Sequence, residues 1–244
     1  MYWMFFLIAA RFFGAMSICP LFGATITSQA LKVILSGLFA LIVFPMYMHT
    51  HLGYDRVIFA ILLAKEVVVG AVIGFILGLP IWLVENVGNL IDIQRGEQFG
   101  ATINPMTQDP ASSIAKLLNQ GFMVYLVTAG GFGIFVEVMC MSFVNWPPQS
   151  YFFGPAAYQV MFHAFSAYFY WMVILALPAL LVMYLLDLIL SLFSSFVPQL
   201  NVTILAMPIK SVFALFVVIL YIGQLYHFAI TRFMNEELVT LFQV

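Results

Sequence analysis

Charged residues are scarce in this sequence, and their scarcity excludes an ordinary soluble domain. Of 244 residues, eight are Lys or Arg and ten are Asp or Glu, so charged side chains make up 7% of the chain and hydrophobic ones 64%. A soluble globular domain carries roughly 25% charged residues. The net charge of −2 also provides no basic surface for nucleic acid. The composition therefore indicates an integral membrane protein.

Cysteines and catalytic motifs are scarce as well. Cys19 and Cys140 both lie in apolar runs, so we expect buried free thiols rather than a disulfide. The sequence contains no HExxH, P-loop, GxSxG or GxGD motif, and His49 and His51 are two residues apart, which is typical of a loop. We therefore expect no enzymatic activity, no metal site and no cofactor.

Long apolar runs are abundant and predict membrane helices. A spanning helix needs about 20 apolar residues, and six intervals without charge are close to that length. They are Phe12–Leu31, Val33–Tyr54, Val67–Val84, Leu117–Val136, Leu188–Ile209 and Ser211–Thr231. A seventh interval contains the break NWPPQSYFFGP, Asn145–Pro155. The eight basic residues are scattered singly, so no loop clusters indicate the orientation in the membrane. The predicted fold is all-α.

Some charges interrupt these runs, where lipid disfavours them by roughly 2.5–3.5 kcal/mol on insertion scales. In EVVVGAVIGFILG, Glu66, Gly70, Gly74 and Gly78 recur every four residues and share one helix face. Because glycines let a second helix approach closely, we expect Glu66 to lie in a contact with another helix or another subunit. The segment GGFGIFVE, which ends on Glu137, repeats this pattern more loosely.

The segment FVPQLN, Phe196–Asn201, predicts a turn between two apolar helices, since proline has no amide hydrogen. Asp187 lies eleven residues before Pro198, and Lys210 lies eleven residues after Gln199. In an antiparallel hairpin both charges would stand at one depth, about 17 Å from the turn. We expect them to neutralise each other or to face a neighbouring subunit at that level.

Two of these segments resemble signatures of the SctT/FliR family, which supplies membrane subunits to type III secretion and flagellar export gates. GNLIDIQRGEQFGATINP, Gly88–Pro105, is similar to its G-x-x-I-D-x-Q-x-G…DP signature, with Asn104 in place of the usual Asp. FVPQLNVTILAMPIKS, Phe196–Ser211, is similar to its P-Q-x-N…P-x-K signature. The opening ARFFGAMSICPLFG and the segment KEVVVGAVIGF resemble the family too. The pair Arg95-Gly96 is closer to the virulence-associated injectisome branch.

The resemblance implies a fold and a set of partners. Residues 1–150 would form an SctR/FliP-like helical part, and residues 151–244 an SctS/FliQ-like hairpin, both built from bent helices. The chain would be a structural and gating subunit at the entrance of a channel for unfolded secreted polypeptides. Its partners would be SctR-, SctS- and SctU-like subunits and an SctV-like export gate. It would cross the bacterial inner membrane several times, in contact with lipid and partly displaced toward the periplasm.

The polar segment IDIQRGEQFGATINPMTQDPA, Ile91–Ala111, separates two apolar runs. Irregular backbone at membrane depth is tolerated only inside protein or along a water-filled cavity, so this segment belongs in a pore; an ordinary solvent loop is the alternative. The resemblance identifies residues 99–111 as a plug. The residues assigned to the plug are Phe99, Gly100, Ile103, Pro105, Met106, Asp109 and Pro110, and those assigned to its base and hinge are Asp92, Gln94, Arg95 and Gly96.

Pro198, Gln199 and Asn201 of the second signature join the charged and glycine positions above as expected contacts between helices or subunits. The competing function is a secondary transporter or ion channel, which fits intramembrane charges and interrupted helices. Against it, the sequence shows no internal repeat with paired broken segments.

Overall fold

The computed structural model describes residues 2–23, 27–47, 55–97, 113–148, 155–196 and 202–231, and every regular element in these ranges is helical. The helices are α1 (Tyr2–Ile18), α2 (Gln29–Val43), α3 (Arg56–Arg95), α4 (Ser113–Thr128), α5 (Gly131–Asn145), α6 (Pro155–Phe196) and α7 (Val202–Phe228). Short 3-10 turns occupy Pro20–Phe22 and Phe44–Tyr47. The all-α fold predicted from the sequence is confirmed.

Three helical segments within the described ranges are long and apolar enough to cross a membrane, namely Arg56–Arg95, Met161–Ser194 and Ala206–Thr231. The pair α4 and α5 adds a fourth if it counts as one interrupted span. In the first segment 67% of the most apolar window is buried inside the chain, against 17% in each of the other two. The helix α3 therefore belongs to the interior, whereas α6 and α7 present wide apolar surfaces outward.

Two of the predicted apolar runs contain helix breaks that were not predicted. The run Leu117–Val136 breaks between α4 and α5, where Gly130 has a φ of +85°, a conformation that glycine adopts without steric cost. The run Phe12–Leu31 breaks after Ile18, because Pro20 lacks the amide hydrogen needed to continue the helix.

The described residues form two compact units. One contains residues 2–81 and 126–166, and the other contains residues 82–125 and 167–231. The predicted division into residues 1–150 and 151–244 was drawn from the family resemblance and stays a prediction.

In the first unit, α1 and α3 approach each other backbone to backbone. A Cβ atom added to Gly70 would lie 1.9 Å from the carbonyl oxygen of Arg11, and one added to Gly74 would lie 2.3 Å from that of Ala15. From the other side, a Cβ on Gly14 would lie 2.2 Å from the carbonyl oxygen of Val67. The glycine face of α3 therefore serves a helix of the same chain, since only hydrogen atoms fit at these crossings.

We predict that Gly70→Ala lowers the thermal unfolding midpoint of the detergent-solubilised chain, with a loss of stability of about 2 kcal/mol or more. The added methyl group collides with backbone, which cannot rotate aside, and overpacking of this kind typically costs about 1–3 kcal/mol.

Gly37→Ala is the matched control, because a Cβ at this α2 glycine meets nothing within 4 Å. Alanine there should leave stability unchanged or raise it by about 0.5–1 kcal/mol through helix propensity. Equal losses for the two variants would contradict the proposed close approach of α1 and α3.

Candidate functional site

A set of polar contacts joins the two sides of residues 98–112; we call it the clamp, and it consists of Asp92, Arg95, Glu97, Ser113 and Ala115. The Nε atom of Arg95 donates to Asp92 Oδ1 at 2.8 Å, and its Nη2 atom donates to Glu97. The hydroxyl of Ser113 donates to Glu97 Oε1 at 2.7 Å, and the Ser113 amide lies 3.3 Å from both carboxylate oxygens. The amide of Ala115 donates to Asp92 Oδ2 at 3.0 Å. The last turn of α3 is thereby tied to the first turn of α4.

Local sequence explains why the clamp forms at this place. Gly96 has a φ of +85°, a conformation common directly after a helix end, and α3 ends at Arg95. The first amides of α4 have no acceptor within their own helix. Carboxylates are favoured at such helix N-termini, and Asp92 and Glu97 accept hydrogen bonds from them across a gap in the sequence.

The charge of Glu97 is maintained by its surroundings. Partial burial by itself would raise the pKa of Glu97, but the Ser113 hydroxyl, the Arg95 guanidinium and the Ser113 amide outweigh burial and hold the pKa below its ordinary value. The carboxylate is therefore ionised at neutral pH, and the contact weakens only when acid pH falls through this lowered pKa. Asp92 is 2% exposed, so its pairing with Arg95 is required to keep an ion at that depth.

A second polar network meets α3 at Gln94, in the same turn as Asp92 and Arg95 of the clamp. Lys210 of α7 forms an ion pair with Asp187 of α6. The side-chain amide of Gln94 donates to Asp187 at 3.3 Å, and Lys210 donates to the Gln94 carbonyl oxygen at 3.3 Å. These residues, together with Arg95, Gly96 and side chains of α6 and α7, line a cavity of about 420 Å³. Of the two arrangements expected for Asp187 and Lys210, the structure shows the one within the chain.

A buried ion cluster connects α1, α3 and α5 in the first unit. Arg11 and Glu66 have no exposed side-chain surface, and Arg11 Nε lies 2.6 Å from Glu66 Oε2. The other guanidinium nitrogens donate to the carbonyl oxygens of Ser142 at 2.9 Å and Trp146 at 2.7 Å. The guanidinium carbon also lies 4.1 Å from the centre of the Phe143 ring. One side chain therefore holds three helices together.

The remaining predicted positions divide into three groups. Gly78 is buried in α3, next to the glycines that contact α1. Glu137 is exposed on α5. Outside the described residues lie Phe99, Gly100, Ile103, Pro105, Met106, Asp109, Pro110, Pro198, Gln199 and Asn201.

The sequence did not predict Ser113 as a partner of Glu97, nor the backbone acceptors of Arg11. Ser113 opens the run SIAKLL, and a Ser before an apolar run is a known signal for a helix start, so its place in the clamp had a detectable sign. The acceptors for Arg11 at Ser142 and Trp146 are backbone carbonyls, which leave no signature in residue type.

Among the described residues, no group of three His, Cys, Asp or Glu side chains is placed to hold a metal ion. Cys19 is a buried free thiol, as expected, whereas Cys140 is a free thiol that is only partly buried.

The family model described as "Bacterial export proteins, family 1" matches residues 2–235 of this chain. The chain belongs to this family. The expected membership in the SctT/FliR family of type III export apparatus proteins is confirmed, and both polar networks and the buried ion cluster lie inside the matched region.

Several relatives within this export family share most of their length with the chain. Yop proteins translocation protein T of Yersinia pestis is 33% identical over 189 residues, which cover 76% of this chain and 72% of the relative. Surface presentation of antigens protein SpaR of Salmonella typhimurium is 26% identical over 231 residues, covering 88% and 83%. Flagellar biosynthetic protein FliR of Buchnera aphidicola is 22% identical over 206 residues, covering 84% and 80%.

We predict that Arg11→Met destabilises the detergent-solubilised chain by about 3 kcal/mol, because the buried Glu66 carboxylate loses one of its two cations and keeps only Lys65, whose Nζ lies 2.7 Å from Glu66 Oε1. The double variant Arg11→Met/Glu66→Gln should lose less than the sum of the two single variants, since no carboxylate then remains to lose the guanidinium. Thermal unfolding of the four proteins measures this coupling. Arg56→Met, at the exposed start of α3, is the control and should change stability by less than about 0.5 kcal/mol. Strictly additive losses would contradict a direct Arg11–Glu66 interaction.

We also predict that Glu97→Ala raises amide hydrogen exchange in the first turn of α4 by about tenfold or more, because Ser113 loses its acceptors. Tenfold corresponds to about 1.4 kcal/mol of local opening free energy. Exchange followed by mass spectrometry of a peptide that begins at least two residues before Ser113 and includes the first turn of α4 provides the measurement. Lys116→Ala, an exposed position on the next turn, should leave exchange unchanged. The clamp is refuted if both variants exchange at the wild-type rate.

Proposed function

We propose that this chain is a structural and gating subunit of a type III secretion export gate. In this proposal it forms the entrance of the protein-conducting channel with SctR- and SctS-like subunits, next to SctU-like and SctV-like components, and unfolded polypeptides pass through. It lies in the bacterial inner membrane, partly displaced toward the periplasm. Membership of the export family and the names of its relatives, which include a translocation protein and a flagellar biosynthetic protein, support an export role.

The observation that carries the gating part of the proposal is the clamp. It fixes residues on both sides of residues 98–112 through a buried carboxylate, Asp92, and a shielded one, Glu97. A segment anchored at both ends can obstruct a conduit without drifting from it, and it can move aside while the anchors hold. The sequence supplies Phe99, Ile103 and Met106 as obstructing side chains. We therefore assign residues 99–111 as the plug and the clamp as its base.

The second network supports the role of residues 151–244 as an SctS-like hairpin. Asp187 and Lys210 neutralise each other between α6 and α7, so the hairpin needs no external ion at that depth. Their contacts with Gln94 attach this hairpin to the turn of α3 that carries the clamp. In this proposal, the base of the plug and the hairpin are therefore joined by polar contacts through Gln94.

We predict that deletion of Gly100–Asp109 raises leakage of ions and small molecules through the assembled complex in membranes, because the obstruction is removed while the clamp stays. A small fluorescent dye or ion flux across sealed inner-membrane vesicles provides the readout. Replacing the same ten positions with an equally long Gly/Ser stretch is the control, which separates the effect of side chains from that of loop length.

Co-purification of SctR- and SctS-like subunits with the deletion variant shows that the complex has assembled. If the assembled variant leaks and secretes at wild-type levels, the plug assignment is wrong.

A further inference from the structure

The carboxylates inside the described helices are paired with polar side chains, with one exception. The pairs are Glu66 with Arg11, Glu85 with Asn119, Asp92 with Arg95, and Asp187 with Lys210. The exception is Glu137 on α5, which is exposed and has neither a hydrogen bond nor an ion pair from any described residue. The described residues thus supply a partner for the other four intrahelical carboxylates and none for Glu137.

Glu137 lies at the centre of a defined surface. Residues three or four positions apart share a helix face, and we call Gly133, Glu137, Cys140 and Val144 the α5 outer face. None of these four residues is buried, and Val144 is 65% exposed. The opposite face is buried and consists of Gly131, Phe135, Val138, Met139, Ser142 and Phe143. The orientation of α5 is therefore fixed, and Glu137 points out of the first unit.

The α5 outer face has room for a close neighbour. A Cβ atom added to Gly133 would meet nothing within 4 Å, so a gap lies one turn before Glu137. The rest of the face is small or apolar. An ionised carboxylate on such a face is unfavourable against acyl chains, whereas a packed helix with a cation removes it from lipid.

A helix face of the same kind, with glycines and a carboxylate, is already covered by another helix within this chain. On α3, Glu66 lies in line with Gly70 and Gly74, and this face is covered by α1, an apolar helix whose one charge is Arg11. On α5, Gly133 and Glu137 present the same two elements, a glycine and a carboxylate one turn apart, and both are exposed, with no described helix packed over them. Charge complementarity then specifies the occupant as an apolar helix with one basic residue opposite the carboxylate.

We propose that the α5 outer face is the docking surface for a membrane helix of a different export-apparatus subunit, which places one Lys or Arg opposite Glu137. The identity of that subunit as an export component rests on the proposed function. The surface itself rests on the exposure of Glu137, the open space at Gly133 and the internal precedent of Arg11 and Glu66.

A photo-crosslinking amino acid at Val144, in the full chain within its native membrane complex, tests the surface. We expect a crosslink to a different export subunit, identified by mass spectrometry. Glu137→Lys should reduce this product by about tenfold or more, because like charges then face each other, and the charge-neutral Glu137→Gln should reduce it about threefold. The variant chains should keep the wild-type thermal midpoint in detergent, because the side chain is exposed.

A crosslinker at Val33 is the matched control, since this α2 position is 57% exposed and apolar; any product formed there should not respond to Glu137→Lys. Crosslinking of Val144 to lipid alone, or to a second copy of this chain, would overturn the proposal, as would an undiminished product in Glu137→Lys. If the wild-type chain fails to co-purify with any export subunit, the proposed function fails together with the docking surface. If it co-purifies and Val144 forms no product with another subunit, only the docking surface fails.

Discussion

Arg11 and Glu66 lie in the interior of the first unit without any exposed surface, and the arrangement of the helices around them depends on their pairing. An isolated ion at such a site is strongly disfavoured, so the guanidinium must meet a carboxylate and further acceptors together. Its planar fork of N–H donors suits this requirement, because one side chain can serve Glu66 and two backbone carbonyls at once. The glycines of α3 make the pairing possible, since they bring α1 close enough for Arg11 to reach Glu66. The ion pair therefore depends on the glycine spacing of α3 as well as on the placement of the two charges.

The last turn of α3 is held in a comparable way in the second unit, but from two directions. Asp92 and Arg95 connect it to the start of α4, while Gln94 connects it to the ion pair between α6 and α7. The clamp includes hydrogen bonds of 2.7, 2.8 and 3.0 Å, whereas both contacts made by Gln94 are 3.3 Å long, at the weak end of hydrogen-bond geometry. A displacement of α6 and α7 would therefore break the attachment to Gln94 before it opened the shorter bonds of the clamp. Under the proposed function, the base of the plug keeps its form while the hairpin adjusts to neighbouring subunits.

The fold class and two of the charge pairs could be predicted from the sequence alone, because they depend on composition and on spacing along a helix. A composition of 64% hydrophobic residues dictates membrane helices, and the fixed rise of a helix places Asp187 and Lys210 at one depth from the turn. The i, i+3 spacing of Asp92 and Arg95 likewise suggests their contact. The partner of Glu66 could not be predicted, because Arg11 is 55 positions away and nothing in the spacing relates the two. The break at Gly130 was missed because its neighbours are as apolar as those of a continuous span.

The exposed apolar residues of α6 and α7 give little information about what surrounds the chain, because acyl chains and the helices of another subunit accept an apolar surface almost equally well. A charge distinguishes the two environments. Lipid offers no counter-ion at the depth of a helix centre, whereas a subunit can offer one at a fixed position. Glu137 is therefore more informative than the many exposed Phe, Leu and Ile side chains of α6 and α7. Within the described residues, four intrahelical carboxylates have polar partners, and Glu137 lies exposed beside an open glycine. A basic residue on a neighbouring helix can neutralise this carboxylate, and a bilayer cannot.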